Sequence, residues 1–118
     1  MAGLNVPIVL IPRFTSYVGG GIYDTLPIPI SAYESLVLSF WMNTGVGTAP
    51  TLSVSLLESN DLDRWEPCVG TPVTPVPGSE VQMTVTLSKA WFRFLVSLSP
   101  ADAGFTVWAQ GFLQLREK

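Results

Sequence analysis

The sequence predicts an all-β protein: an antiparallel β-sandwich of jelly-roll type with an extended N-terminal arm. Three observations carry this. Apolar residues alternate with polar ones over several stretches of seven to twelve residues, the period of a strand with one face in a core. Gly/Pro-rich turns separate those stretches at the spacing of sandwich folds. No stretch shows helical periodicity. At 118 residues the chain is long enough for one real core. We divide it into an arm with edge segments, 1–33, and a sandwich domain, 34–118.

Residues 1–33 are irregular. The apolar run Val6 to Ile11 contains Pro7 and ends at Pro12. Proline excludes a helix interior and a central strand, which leaves an edge strand or an arm lying on a neighbour. Gly19-Gly20-Gly21 reads as a flexible joint. Leu26 to Ile30 is extended, with Pro27 and Pro29 at alternate positions.

The sandwich strands follow. Over Glu34–Asn43, Leu36, Leu38, Phe40 and Met42 share one face. Over Thr51–Ser59, Leu52, Val54 and Leu56 point inward. A short strand is expected around Arg64–Val69, and 70–79 is a proline-rich loop. Val81, Met83, Val85 and Leu87 mark the next strand. The last two stretches, running from Trp91 to Arg116, are read as a hairpin closed by Pro100 to Ala103, whose residues carry turn chemistry. In that register Phe94 faces Ala109, Val96 faces Val107 and Leu98 faces Phe105. The opposite face then gathers Trp91, Leu95, Trp108 and Phe112, an apolar patch that something must cover.

Composition narrows the function. Apolar residues make up 47% of the chain and charged residues 13%, against roughly 25% charged in ordinary domains. Such a chain has a Ser/Thr-rich surface or buries much of it in an assembly. A net charge of −3 with six Lys+Arg argues against nucleic acid, whose phosphates need clustered cations, and against an anionic membrane. No secretory leader or membrane-spanning helix is expected.

Catalysis has little to work with. There is no histidine and one cysteine, Cys68, so Ser/His/Asp and Cys/His sites are excluded within one chain. Cys68 reads as a small apolar residue. The acidic stretch Glu58-Ser59-Asn60-Asp61-Leu62-Asp63-Arg64-Trp65-Glu66 could offer oxygen ligands to Ca²⁺, but lacks the full loop spacing. It reads better as a solvated loop with Arg64 pairing one acid. A paired-carboxylate glycosidase would need the same residues, and they are crowded into one loop. No enzyme, no cofactor and no metal site is expected. Trp65 is expected to plug the core. Trp91, Trp108 and Phe112 suit a subunit interface, where aromatic residues are enriched, or a sugar-stacking platform.

Several features together resemble a known class. They are Glu58-Ser59-x-Asp61 followed by Trp65, the strand Phe92-Arg93-Phe94, and Gly111-Phe112-Leu113 with Arg116. The pattern, over roughly 34–116, resembles small jelly-roll structural proteins of tailed bacteriophages, closest to head decoration (cement) proteins. That resemblance implies a homotrimer on the outer surface of the virion, clamping major capsid subunits, with no catalytic residues. The interface residues expected are Val6, Ile8, Leu10, Trp91, Leu95, Trp108 and Phe112. Similar sandwiches serve as carbohydrate- or receptor-binding modules, the alternative, or as tail and baseplate components.

Overall fold

The computed structural model describes residues 5–25, 27–70 and 74–116. Ten strands follow in chain order: β1 Asn5–Val18, β2 Gly21–Asp24, β3 Ile28–Pro29, β4 Tyr33–Met42, β5 Thr51–Ser59, β6 Glu66–Pro67, β7 Val69–Gly70, β8 Glu80–Thr86, β9 Trp91–Ser99 and β10 Gly104–Leu115. They form two antiparallel sheets. The front sheet has the order β1-β10-β4-β8-β7, and the back sheet β2-β9-β5-β6, with β3 also on β9. The architecture is the expected antiparallel sandwich.

The inward faces are those the alternation marks. Leu36, Leu38, Phe40 and Met42 of β4 are buried, as are Phe92, Phe94, Val96 and Leu98 of β9, and Phe105, Val107, Ala109 and Leu113 of β10. Phe40 and Phe94 meet across the sandwich, ring centroids 6.0 Å apart, a separation at which tilted aromatic pairs attract.

The hairpin, however, does not form. β9 and β10 lie in different sheets, and residues 100–103 arch between them. Phe94 stands beside Leu56, Val96 beside Val54 and Tyr23, and Leu98 beside Leu52 and Gly21. The physical reason is that period two fixes which face looks inward and says nothing about which strand lies alongside. β5 matches β9 over its full nine residues, Thr51–Ser59 on Trp91–Ser99. β10 instead sits between β1 and β4.

The described part of the N-terminal segment is built into both sheets. β1 is the edge of the front sheet, paired along β10 from Asn5↔Gln114 to Val18↔Gly104. β2 and β3 extend the back sheet beside β9. Two register shifts interrupt β1, the second between Ile11 and Thr15. There Pro12, Arg13 and Phe14 form an outward bulge. The Thr15 hydroxyl closes it by donating to the Pro12 carbonyl at 2.7 Å, and Phe14 takes φ +64°, an uncommon conformation for a bulky residue. The strand expected at Arg64–Val69 splits at Cys68: β6 joins the back sheet and β7 the front.

Candidate interaction surfaces

The four residues expected to form one apolar patch are divided between opposite sides of the sandwich. Trp91 and Leu95 are on the outer face of the back sheet, while Trp108 and Phe112 are on the outer face of the front sheet. The division follows from the arch between β9 and β10. Val6, Ile8 and Leu10 point inward and pack, half-buried, against the core.

The chain covers the back face around Arg93, while Ile22 of β2 stays 67% exposed there. Arg93 lies between Trp91 and Leu95 on β9, and its guanidinium sits 4.5 Å from the centre of the Trp65 ring. Trp65 is thus not a core plug; it stacks on the outside. Arg93 also reaches Asp24 at 3.5 Å, an ion pair whose two side chains are 26% and 47% exposed, so water screens it and it contributes little. The cation–π contact is the firmer bond of the two.

The front face is more open. Its outward residues form three cross-strand rows over β1, β10, β4 and β8. Pro7, Phe112, Val37 and Thr84 make the first row. Val9, Gln110, Ser39 and Gln82 make the second. In the third, the bulge places Arg13 against Trp108, and Trp41 and Glu80 continue the row. Arg13 is 4.3 Å from the Trp108 ring centre, and the ring is left only 7% exposed. Phe112 stays 49% exposed and Val9 58%. Together these rows line a groove of about 370 Å³. Arg13 and Glu80 stand on its opposite sides, and among the described residues neither makes an ion pair.

Further along the same face, Val18 and Val46 flank Gly104, which is paired to both. They are 81% and 66% exposed, and Phe14 in the bulge is 77% exposed. Sequence reasoning missed Val9, Phe14, Val18 and Val46 as surface groups. Only the parity of Val9 against the inward Val6, Ile8 and Leu10 hints at one of them.

The acidic stretch is structural bracing. Glu58 is 2% exposed and Ser59 fully buried. Glu58 Oε1 accepts the Ser88 and Lys89 N–H groups at 2.9 and 3.2 Å, and Oε2 accepts the Ser88 hydroxyl at 3.0 Å. The Ser59 hydroxyl donates to Asp61 Oδ1 at 3.0 Å and accepts the Leu62 N–H, also at 3.0 Å. Among the described residues, Arg64 pairs no acid through its side chain: its backbone N–H donates to Asp61 at 2.9 Å, and the ion pair of this region is Lys89–Glu66 at 3.6 Å. Among the described residues no three acidic, Cys or His groups converge as a ligand set.

Those bonds to Asp61 have a measurable consequence. The Arg64 and Asp63 N–H groups and the Ser59 hydroxyl pull its pKa down to about 2. A depressed carboxylate contributes stability above its unfolded pKa and loses it as pH falls through the folded value. The window here runs from near pH 4 down to about 2. We expect Asp61→Asn to lower the melting temperature at pH 6, with the gap to the parent closing by pH 2; a gap independent of pH would contradict this. Burial pushes the Cys68 thiol up to about 12, with the charge of Glu58 adding to the effect. The thiol therefore stays protonated at neutral pH.

No known protein family matches the sequence, and no curated protein matches it. Solved structures that share the fold include the following two. One is a chain from the structure of infectious bursal disease virus Gx strain, with a TM-score of 0.55 and 11% identity over 95% of this chain. This chain spans about a third of that one, 32%. The other is the CBM22-1 xylan-binding domain from Paenibacillus barcinonensis Xyn10C. Its TM-score is 0.50 at 12% identity, over 99% of this chain and 98% of that domain. At these identities the likeness establishes the jelly-roll-like sandwich and nothing finer.

Proposed function

We propose that this chain is a structural protein of a virus particle, a decoration or cement protein that binds across the major capsid subunits. The observation that carries the reading is the set of uncovered apolar side chains on and beside the front face: Val9, Phe14, Val18, Val46 and Phe112. Exposed apolar surface on a charge-poor chain marks a contact site, and interface cores are depleted in charge. The likeness to a virus chain over 95% of this sequence supports the same reading. Binding by burial, repeated over many copies, would oppose expansion of a shell.

The test is sedimentation of the purified protein with expanded phage heads that lack a decoration protein. Parent protein is expected to co-sediment at fixed stoichiometry. The triple variant Phe14→Ser, Val18→Ser, Val46→Ser is expected to remain folded and lose most of that binding. Failure of the parent to bind such heads, or equal binding by the variant, would overturn the proposal.

A second reading is supported by the end-to-end likeness to a xylan-binding domain. In it, the groove beside Phe112 holds a sugar ring, with Gln110 and Gln82 bonding its hydroxyls. It ranks second because Arg13 covers the Trp108 ring, and a sugar needs an open ring to stack on. Titration with soluble xylan, followed by tryptophan fluorescence, distinguishes the two.

A further inference from the structure

We infer that the outer face of the front sheet is a two-fold interface with a second copy of this chain, locked by Arg13 of each copy against Glu80 of the other. This deepens the assembly reading and rests on it: Val9 and Phe112 go to the second copy, and Phe14, Val18 and Val46, outside the three rows, are left for the shell. The first argument is symmetry. A two-fold axis along the strands, between β10 and β4, lays β1 and β10 of one copy over β8 and β4 of the next. Each row is then self-complementary, as an isologous contact requires. Phe112 meets the partner's Val37 and Gln110 meets the partner's Ser39, while Trp108 lies beneath Arg13. Arg13 meets the partner's Glu80, and the same pair recurs on the other side of the axis. The register supplies this order directly, because Phe112↔Val37, Gln110↔Ser39 and Trp108↔Trp41 are already neighbours within one sheet.

The second argument is charge. Arg13 and Glu80 are the two charged groups of these rows, they have opposite sign, and they belong to β1 and β8, the strands that flank β10 and β4. Neither has an ion partner among the described residues. Within one chain they are two separate charges beside an apolar groove; across the axis each finds its complement. The third argument is area. With β1 laid over the seven-residue β8 and β10 over the ten-residue β4, strands ~4.8 Å apart overlap over ~550 Å² in plan, about two-thirds of the ~800 Å² per partner of a standard stable interface.

The test uses charge reversal and sedimentation velocity at tens of micromolar, with circular dichroism to confirm folding. The parent protein is expected to be a dimer. Arg13→Glu carries two acids on this face and Glu80→Arg two bases. Each alone is expected to dissociate at least ~10-fold more readily, since like charges now oppose each other. Mixing the two variants is expected to restore a dimer, because both cross-axis pairs become complementary in the mixed species. That recovery cannot arise from simple damage to either variant. A parent that is monomeric or trimeric, or variants that stay monomeric on mixing, would overturn the inference. Saturable quenching of tryptophan fluorescence by soluble xylan in a monomeric parent would overturn it in favour of a sugar ligand. A monomer that still binds phage heads would overturn the dimer alone and leave the assembly reading standing.

Discussion

Gly111→Ala is expected to destabilise the fold by about 3 kcal/mol or more. Gly111 sits on β10 between β1 and β4, opposite Ile8 and Leu38. A Cβ there would overlap the Val37 carbonyl oxygen and come within 2.9 Å of the Leu38 Cα. Both obstacles are backbone, so no side chain can rotate away to make room. The strand pair must separate, and it belongs to the best-connected part of the front sheet. Relief by moving β10 the other way would strain its ladder with β1. At roughly 4 °C per kcal/mol for a domain of this size, the melting temperature should fall by ~12 °C or more. A thermal scan by circular dichroism measures it. A melt within error of the parent would mean that the two strands lie further apart than described.

The second large effect is expected at Glu58. Its carboxylate is buried and receives three hydrogen bonds from Ser88 and Lys89, so it fixes the turn that leads from β8 into β9. Glu58→Ala removes the acceptor and leaves two backbone N–H groups without partners. Bonds to a charged group are worth about 1.5–3 kcal/mol each, and water can reach the freed N–H of the exposed Ser88, which offsets part of that loss. We expect a net loss of about 3 kcal/mol, seen as a lower urea midpoint at unchanged slope. Glu58→Gln keeps one carbonyl oxygen for the N–H groups and should lose about half as much. Amide exchange at Ser88 and Lys89 should accelerate in the alanine variant before that of β4 does. Equal stability of alanine and parent would show that the turn is held by something other than this carboxylate.

These two sites show what could be read from the residues and what could not. The inward faces of β4, β8, β9 and β10 were legible because a buried face imposes its period on every second residue. The partner of each strand was not, since pairing at long separation leaves no local mark. Hence the alternation alone suggests β9 and β10 as neighbours and groups Trp91 and Leu95 with Trp108 and Phe112, which the sandwich places on its two opposite outer faces. β1 was partly legible: Pro7 and Pro12 leave an edge strand or an arm on a neighbour, and the structure has the edge strand. Its bulges were not, and they are what carries Arg13 onto Trp108. The acidic stretch was visible as a cluster, yet composition could not tell a solvated loop from a buried brace. That distinction depends on Ser88 and Lys89, thirty residues away in the chain.

The edges of the two sheets have a consequence of their own. β1 carries Pro7, Pro12 and two bulges; β7 has two residues; β3 and β6 have two each and contain Pro29 and Pro67. Amyloid fibrils grow by adding strands to a long, straight, unblocked edge. A chain that is 47% apolar would otherwise be an easy recruit. At these margins strand addition is blocked; among the described residues, 51–55 of β5 and 80–84 of β8 are left unpaired on their outer side, so these stretches are where copies of the chain can join edge to edge.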